Sequence, residues 1–155
     1  IDYFTTSFKL DSLLVKAQIW DISAEEKYHS AIENLLDIVT SCVLVYDIGD
    51  YQSFQNINKY VSKGIQKNDS DCVFYLIGNK TVKETDRKVK QAEAAKFAKE
   101  YGFGFLELAP SDNYAIGKAF ENLLYSIHLK EKIEICGATE PTCCNNKPCT
   151  TCNVF

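Results

Sequence analysis

The chain has 155 residues, of which 46% are hydrophobic and 25% charged, and its formal net charge is −4. This balance predicts one globular domain with enough apolar material for a core, and it excludes a basic nucleic-acid-binding surface. No apolar run approaches the roughly 18 residues that span a bilayer, and no signal peptide is recognisable, so we expect a cytosolic protein.

The first 21 residues predict a β-hairpin. Residues 1–10 are rich in β-branched and aromatic side chains, and Asp11-Ser12 separates them from a second apolar strand at residues 13–20. A two-residue turn of this kind joins antiparallel neighbours. Asp21 ends the second strand, where α/β proteins place ligand-binding side chains, so it is the first candidate site residue. A plain turn residue is the alternative, since Asp is common at such breaks.

Helical and strand-like segments alternate through the rest of the chain. We expect Ser53 to cap the second helix and Gly102 to end the third. The alternation predicts an α/β fold with a mostly parallel sheet and helices on both faces. The chain contains no Met and opens inside a strand-like segment, so we expect its natural start to precede Ile1. The predicted helices cover residues 25–39, 53–67, 92–101 and 115–130, and the predicted strands cover residues 42–48, 73–78 and 103–107.

Several short sequence motifs resemble those of one protein family. Residues 16–21 (KAQIWD) are similar to the strand of Rab-family small GTPases, in the Ras superfamily, that ends in the Asp-x-x-Gly motif. Residues 44–48 (LVYDI), 78–80 (GNK) and 119–120 (AF) follow in family order. The resemblance covers residues 1–130. Within the family, the motif sequences resemble those of recycling-endosome Rabs and their plant RabA-type counterparts most. It implies the small-GTPase (P-loop NTPase-like) fold without the family's first strand, phosphate loop and first helix.

The resemblance also implies remnants of a nucleotide site. Asp21 would hold Mg²⁺ through water, and Asn79 and Lys80 would begin the guanine motif Asn-Lys-x-Asp. Val82 stands where that motif has an Asp that accepts two hydrogen bonds from the base. A solvated turn is the alternative for Asn79-Lys80.

Other motif positions depart from the family. Ala24 and Glu25 replace the Gly that meets the γ-phosphate and the Gln that orients the attacking water. Pro110 removes a backbone donor from the last nucleotide motif, and the 155 residues contain no Gly-x-x-x-x-Gly-Lys-Ser/Thr. We therefore expect no catalytic residue and no cofactor for this chain, whereas the intact family uses GTP or GDP with Mg²⁺.

Three hypotheses remain open. The chain is a pseudo-GTPase of vesicle trafficking, deficient in GTP binding and hydrolysis, or a fragment of an ordinary Rab whose phosphate-binding part is missing, or a decayed gene product. Trafficking effectors or Rab regulators would be its partners. In the family they meet an apolar triad, which falls here on Tyr3, Trp20 and Leu35. Simple core packing also explains these three residues.

Residues 131–155 form a Cys-rich tail that we expect to be flexible, after a partial domain at residues 1–130. The chain ends Cys-Asn-Val-Phe, a Cys-a-a-X pattern that predicts geranylgeranylation of Cys152. Palmitoylation of Cys143 or Cys144 would add a second anchor and place the protein on the cytosolic face of endomembranes. Unmodified thiols and a zinc site that includes Cys149 are alternatives, and we assign no metal site.

The missing first strand of the family leads to an expectation about folding. We place that strand between the segments at residues 42–48 and 73–78, so that both segments lose a neighbour. Unless they pair directly or a partner fills the gap, two apolar sheet edges stay open. We therefore expect self-association.

Overall fold

The computed structural model describes residues 1–10, 13–23, 25–36, 38–64, 72–131 and 152–154. Short 3-10 turns at Glu26–Tyr28 and Glu84–Asp86 accompany the main elements. In chain order these elements are β1 (Asp2–Leu10), β2 (Leu13–Asp21), α1 (His29–Leu36), β3 (Ser41–Asp47), α2 (Tyr51–Gly64), β4 (Val73–Asn79), α3 (Gln91–Tyr101), β5 (Gly104–Leu108), α4 (Asn113–Glu131) and β6 (Cys152–Val154).

The described strands form one six-stranded sheet in the order β1-β2-β6-β3-β4-β5. The β1–β2 pair is antiparallel, with Leu10 opposite Leu13 and Asp2 opposite Asp21. All other neighbouring strands are parallel. The predicted hairpin and the mostly parallel α/β fold are therefore confirmed.

One expectation about the sheet is wrong. We placed the family's first strand between residues 42–48 and 73–78, but β3 and β4 pair directly along their whole length. Two parallel strands joined by a single crossover helix, here α2, are usually neighbours. The strands β2 and β3 are the pair that is separated, because β6 lies between them.

The core lies on both faces of the sheet. On one face, α2 and α3 pack on Tyr46 and Leu76, and α1 packs beside Cys42. On the other face, α4 packs through Leu123, Leu124 and Ile127 on the hairpin residues Leu10 and Val15. Helices thus cover both faces, as the alternation of strands and helices predicts.

The observed helix ends agree only in part with the ends predicted from the sequence. Gly102 ends α3 with φ of 71°, the left-handed conformation that glycine adopts without steric cost. Ser53 does not cap α2, because Asp50 precedes the helix and its Oδ1 accepts from the Gln52 amide at 3.0 Å. The Ser53 hydroxyl instead accepts from the amide of Asp47 at 2.9 Å. The first predicted helix, over residues 25–39, is shorter than expected, because a 3-10 turn occupies its start.

Candidate functional site

The candidate site lies at the carboxyl edge of the parallel strands. Asp21 ends β2 and Asn79 ends β4, and these strands run in the same direction. Three strand spacings separate the two strands, which corresponds to about 14 Å. The two residues thus share the edge at which α/β proteins bind ligands, at opposite ends of a span that is long enough for a nucleotide.

The loop after β4 is held by backbone and side-chain hydrogen bonds. The Lys80 amide donates to the carbonyl of Leu108 in β5 at 2.8 Å. The Thr81 hydroxyl donates to Asp47 Oδ1 at 2.6 Å, which ties the loop to β3. The backbone of the Asn79-Lys80 segment is therefore fixed at the edge of the sheet.

Val82 stands where the resemblance implies an Asp of the guanine motif, and it presents two methyl groups. Its side chain is 36% exposed, and its Cγ1 and Cγ2 atoms lie 2.9 and 3.0 Å from the point where a Cβ on Gly49 would stand. The Gly49 amide donates to Asp47 Oδ1 at 2.7 Å, so the neighbouring carboxylate is already engaged. Hydrocarbon atoms therefore stand at this position, beside a carboxylate that already accepts two hydrogen bonds.

Arg87 organises the surface beside this loop. Its Nη1 and Nη2 atoms donate to Glu107 Oε1 and Oε2, each at 2.7 Å. Its Nε and Nη2 atoms donate to the two carboxylate oxygens of Glu84, also at 2.7 Å. Nη1 reaches the Val89 carbonyl at 3.1 Å, so all five guanidinium donors are used. This cluster was not predicted, because the Glu84–Arg87 spacing is visible in the sequence but the contact with Glu107 requires the fold.

The cluster shifts the ionisation of its members. Hydrogen bonds from Arg87 lower the pKa of the Glu84 carboxyl below its ordinary value. Hydrogen bonds to Glu84 and Glu107 raise the pKa of Arg87, so its guanidinium stays charged. Burial, followed by the neighbouring Glu107 carboxylate, raises the pKa of Tyr46, whose hydroxyl donates to Glu107 Oε1 at 3.3 Å. These charges are structural, because each one already has a partner.

A cavity of about 340 Å³ opens beside Asp21. Its walls come from the end of β2, from α1 and α2, and from β3, and most of its lining side chains are apolar. It therefore suits apolar contact better than an anion. The apolar side chains that line it include Trp20, Ile22, Ile32, Leu36, Ile57 and Val45.

Comparison with known proteins identifies the chain. A family model described as Ras family matches residues 1–129. The chain belongs to the Ras family. It is 31% identical over 128 residues to Ras-related protein Rab-11B of Dictyostelium discoideum, an alignment that covers 83% of this chain and 58% of that protein. The predicted resemblance to Rab-family small GTPases is confirmed, and the chain spans 58% of the length of this curated relative.

The Rab-type domain brings together two of the three predicted triad residues. Tyr3 and Trp20 are cross-strand partners in β1 and β2, and their ring centroids lie 4.8 Å apart. Tyr3 is 47% exposed, and Trp20 is half-buried against the cavity. Leu35 lies on α1 and is also half-buried.

Only some of the other predicted positions lie within the described residues. Glu25 forms an ion pair with Lys27 at 2.8 Å, and Pro110 lies in an exposed turn before α4. Ala24, Cys143, Cys144 and Cys149 lie outside the described residues, and Cys152 is described only as part of β6. Within the described ranges, no group of three or more His, Cys, Asp or Glu could hold a metal ion. No helix in those ranges is long and apolar enough to cross a membrane.

Proposed function

We propose that this chain is a Rab-type domain of vesicle trafficking that has lost recognition of the guanine base and acts by binding partners. The observation that carries the proposal is Val82, whose methyl groups lie against Gly49 where the family presents a base-accepting Asp. A hydrocarbon cannot accept the two hydrogen bonds of the base. Each lost bond costs roughly 1–3 kcal/mol.

The positions linked to hydrolysis support the same proposal. Glu25 stands where the family has the Gln that orients the attacking water, and it is paired with Lys27. A carboxylate beside the γ-phosphate also adds like-charge repulsion. Ala24 and Pro110 are two further departures within the nucleotide motifs. We propose that Asp21, Asn79 and Lys80 are remnants without a catalytic role.

Titration of the purified 155-residue chain with a fluorescent guanine nucleotide tests this proposal. We expect no saturable binding at micromolar nucleotide and no GTP turnover. Binding that GDP displaces and ADP does not would overturn it.

The Tyr3–Trp20 pair is the surface that we propose for effectors or regulators. Aromatic side chains that are partly exposed and packed against each other are common anchors of protein interfaces. The cavity beside Trp20 would take an apolar side chain of the partner. The chain is expected to compete with a GTP-loaded Rab-family GTPase for the effectors of that GTPase, and Trp20→Ala to abolish competition. Tyr114→Ala, at a tyrosine that is 77% exposed on α4, is the matched control.

A second candidate function is that of an ordinary GTP-binding Rab of which this chain is one part. The chain spans 58% of the length of Rab-11B, and the Lys80 amide still anchors the base loop to β5. Nucleotide binding by a longer product of the same gene would favour this candidate.

We also propose that the protein is attached to a membrane through C-terminal cysteines. Cys152 is the geranylgeranyl acceptor in this proposal, and Cys143 or Cys144 provides the second attachment. Mass spectrometry of the C-terminal peptide from eukaryotic cells is the test. An unmodified Cys152 in membrane and soluble fractions alike would refute it.

A further inference from the structure

The strand β1 lies at one end of the six-stranded sheet. Its nine residues pair with β2 along one edge, and no other described strand pairs with the opposite edge. In an antiparallel pair, every second residue points its backbone N–H and C=O groups away from the partner strand. The outer edge of β1 therefore carries a row of backbone donors and acceptors that a further strand can bind.

The composition of β1 does little to protect this edge. Proteins usually protect an edge strand by keeping it short, or with Pro, bulges or several charged side chains. β1 is nine residues long and contains no Pro, and its one Lys, Lys9, stands next to its last residue. The first six residues of the strand are all exposed, and Phe4 is 55% exposed. The strand thus presents both backbone groups and an aromatic side chain to a partner.

The sequence of β1 reads nearly the same in both directions about Thr6. Residues 4–8 are Phe-Thr-Thr-Ser-Phe. When two copies of the strand pair antiparallel about a two-fold axis at Thr6, Phe4 of each copy stands opposite Phe8 of the other. Small hydroxyl-bearing side chains lie between the two aromatic pairs. The strand is therefore complementary to a second copy of itself.

Charges and ring stacking favour the same arrangement. Antiparallel pairing brings the Asp2 end of each copy beside the Lys9 end of the other, whereas a parallel pair would place Asp2 beside Asp2. Phe8 stacks on Phe120 of α4, with ring centroids 5.8 Å apart and 8° between the ring planes. Phe4 of the second copy would extend this row of rings and lose its exposure to water.

We propose that β1 is a dimerisation strand, at which two copies of this protein join their sheets by antiparallel β1–β1 pairing centred on Thr6. The proposal goes beyond the proposed function, because it depends neither on nucleotide nor on effectors. Self-association was expected at residues 42–48 and 73–78, but these strands pair with each other, and the proposal places it at β1. One pair of strands is a small interface compared with the roughly 1,600 Å² of a standard complex, so we expect a dimer of micromolar affinity.

Sedimentation velocity of the full-length chain, with a reductant present, tests the proposal. The wild type is expected to shift from monomer to dimer as its concentration rises about 100-fold through the micromolar range. Thr6→Lys places like charges opposite each other at the two-fold axis and is expected to weaken the dimer at least about 5-fold. Thr85→Lys adds the same charge at an exposed residue of the turn Glu84–Asp86 and is the matched control.

Two results of this measurement would overturn the proposal. One is a wild type that stays monomeric over the whole concentration range, as expected if β1 binds only a strand of another protein. The other is equal dimerisation of Thr6→Lys and Thr85→Lys, which would place the contact on another surface.

Disulfide crosslinking checks the register independently. In Thr6→Cys, the introduced thiols of two copies face each other across the axis. Oxidation by dissolved oxygen, which takes up the two electrons and two protons that the thiols lose, is expected to join position 6 of one chain to position 6 of another. Mass spectrometry of the linked peptides identifies the bond. Thr85→Cys is the control, and crosslinking at position 85 as frequent as at position 6 would overturn the proposed interface.

Discussion

Arg87 and Glu107 form a two-pronged ion pair that joins the loop after β4 to strand β5. Both guanidinium–carboxylate distances are 2.7 Å, and the Glu107 side chain is 4% exposed. The same arginine binds Glu84, so one side chain holds the 3-10 turn Glu84–Asp86 against the sheet. The loop that carries Val82 is therefore tied to the sheet by contacts of its own residues with Glu107.

The first prediction concerns this pair. Arg87→Ala leaves the buried Glu107 carboxylate without its charged partner, and this should lower the free energy of unfolding by about 3–5 kcal/mol. Lys96→Ala removes an exposed pair with Glu100 at 3.8 Å and should cost less than about 1 kcal/mol. Urea unfolding of both variants provides the comparison. Equal losses would show that the Arg87–Glu107 pair contributes no more than a surface contact.

The second prediction is an alkaline loss of stability at Tyr46. Burial and Glu107 raise its pKa above the ordinary value of 10.0, so the folded state keeps the phenol proton after the unfolded state has lost it. The unfolded state then binds fewer protons, and stability falls as the pH rises above about 10. Tyr46→Phe should cost about 0.5–1.5 kcal/mol at about pH 7 but show a shallower decline under alkaline conditions. Parallel declines in urea titrations at several pH values would contradict this.

The third prediction is that repairing the base site does not restore binding to this chain. In Val82→Asp with Pro110→Ala, the base acceptor returns, but the 155 residues still contain no phosphate loop. Phosphates carry most of the ligand's charge and need such a loop. Measurable GDP affinity in the double variant, by the same fluorescent titration, would show that the base contacts suffice.

The fourth prediction concerns the proposed lipidation. In the transfer, a thioether forms at Cys152 Sγ, diphosphate leaves the geranylgeranyl donor, and the thiol proton passes to solvent. A synthetic peptide of residues 143–155 is expected to react at Cys152 with a geranylgeranyltransferase, because it carries the complete Cys-a-a-X ending. An inert peptide would refute the lipidation proposal.

The sequence predicted the elements well and their arrangement less well. Apolar residues that recur with a period of two predicted the hairpin, and those that recur with a period of 3.6 predicted α4, because burial of one face imposes these periods. The position that we predicted for the family's first strand was wrong. It depends on which strands are neighbours in the sheet, and the local sequence around Ser41 and Val73 does not show which strands these are. Asp50 was missed as the cap of α2, because Ser53, also a good capping residue, lies three positions later. The use of Cys152–Val154 as a strand could not be predicted from a tail of low apolar content.

Only surviving motif residues pointed to the candidate site in the sequence. Asp21 was proposed because it ends an apolar strand and Asn79 because of the resemblance to the guanine motif, and the structure places both on one edge of the sheet. The contact of Val82 with Gly49 and the links from Arg87 to Glu107 join residues that are distant in sequence. Such contacts follow from the fold and not from spacing.

The most direct test restores the phosphate loop and leaves the base site as it is. In a chimera, the first strand, phosphate loop and first helix of an intact Rab-family GTPase are fused ahead of Ile1. Two versions of the chimera, one with Val82 and one with Val82→Asp, are titrated with fluorescent GDP. Two missing hydrogen bonds at roughly 1–3 kcal/mol each predict that the Val82 chimera binds at least about 30-fold more weakly than the intact GTPase, and that Val82→Asp recovers much of the loss. A Val82 chimera that binds GDP as tightly as the intact GTPase would contradict the loss of base recognition.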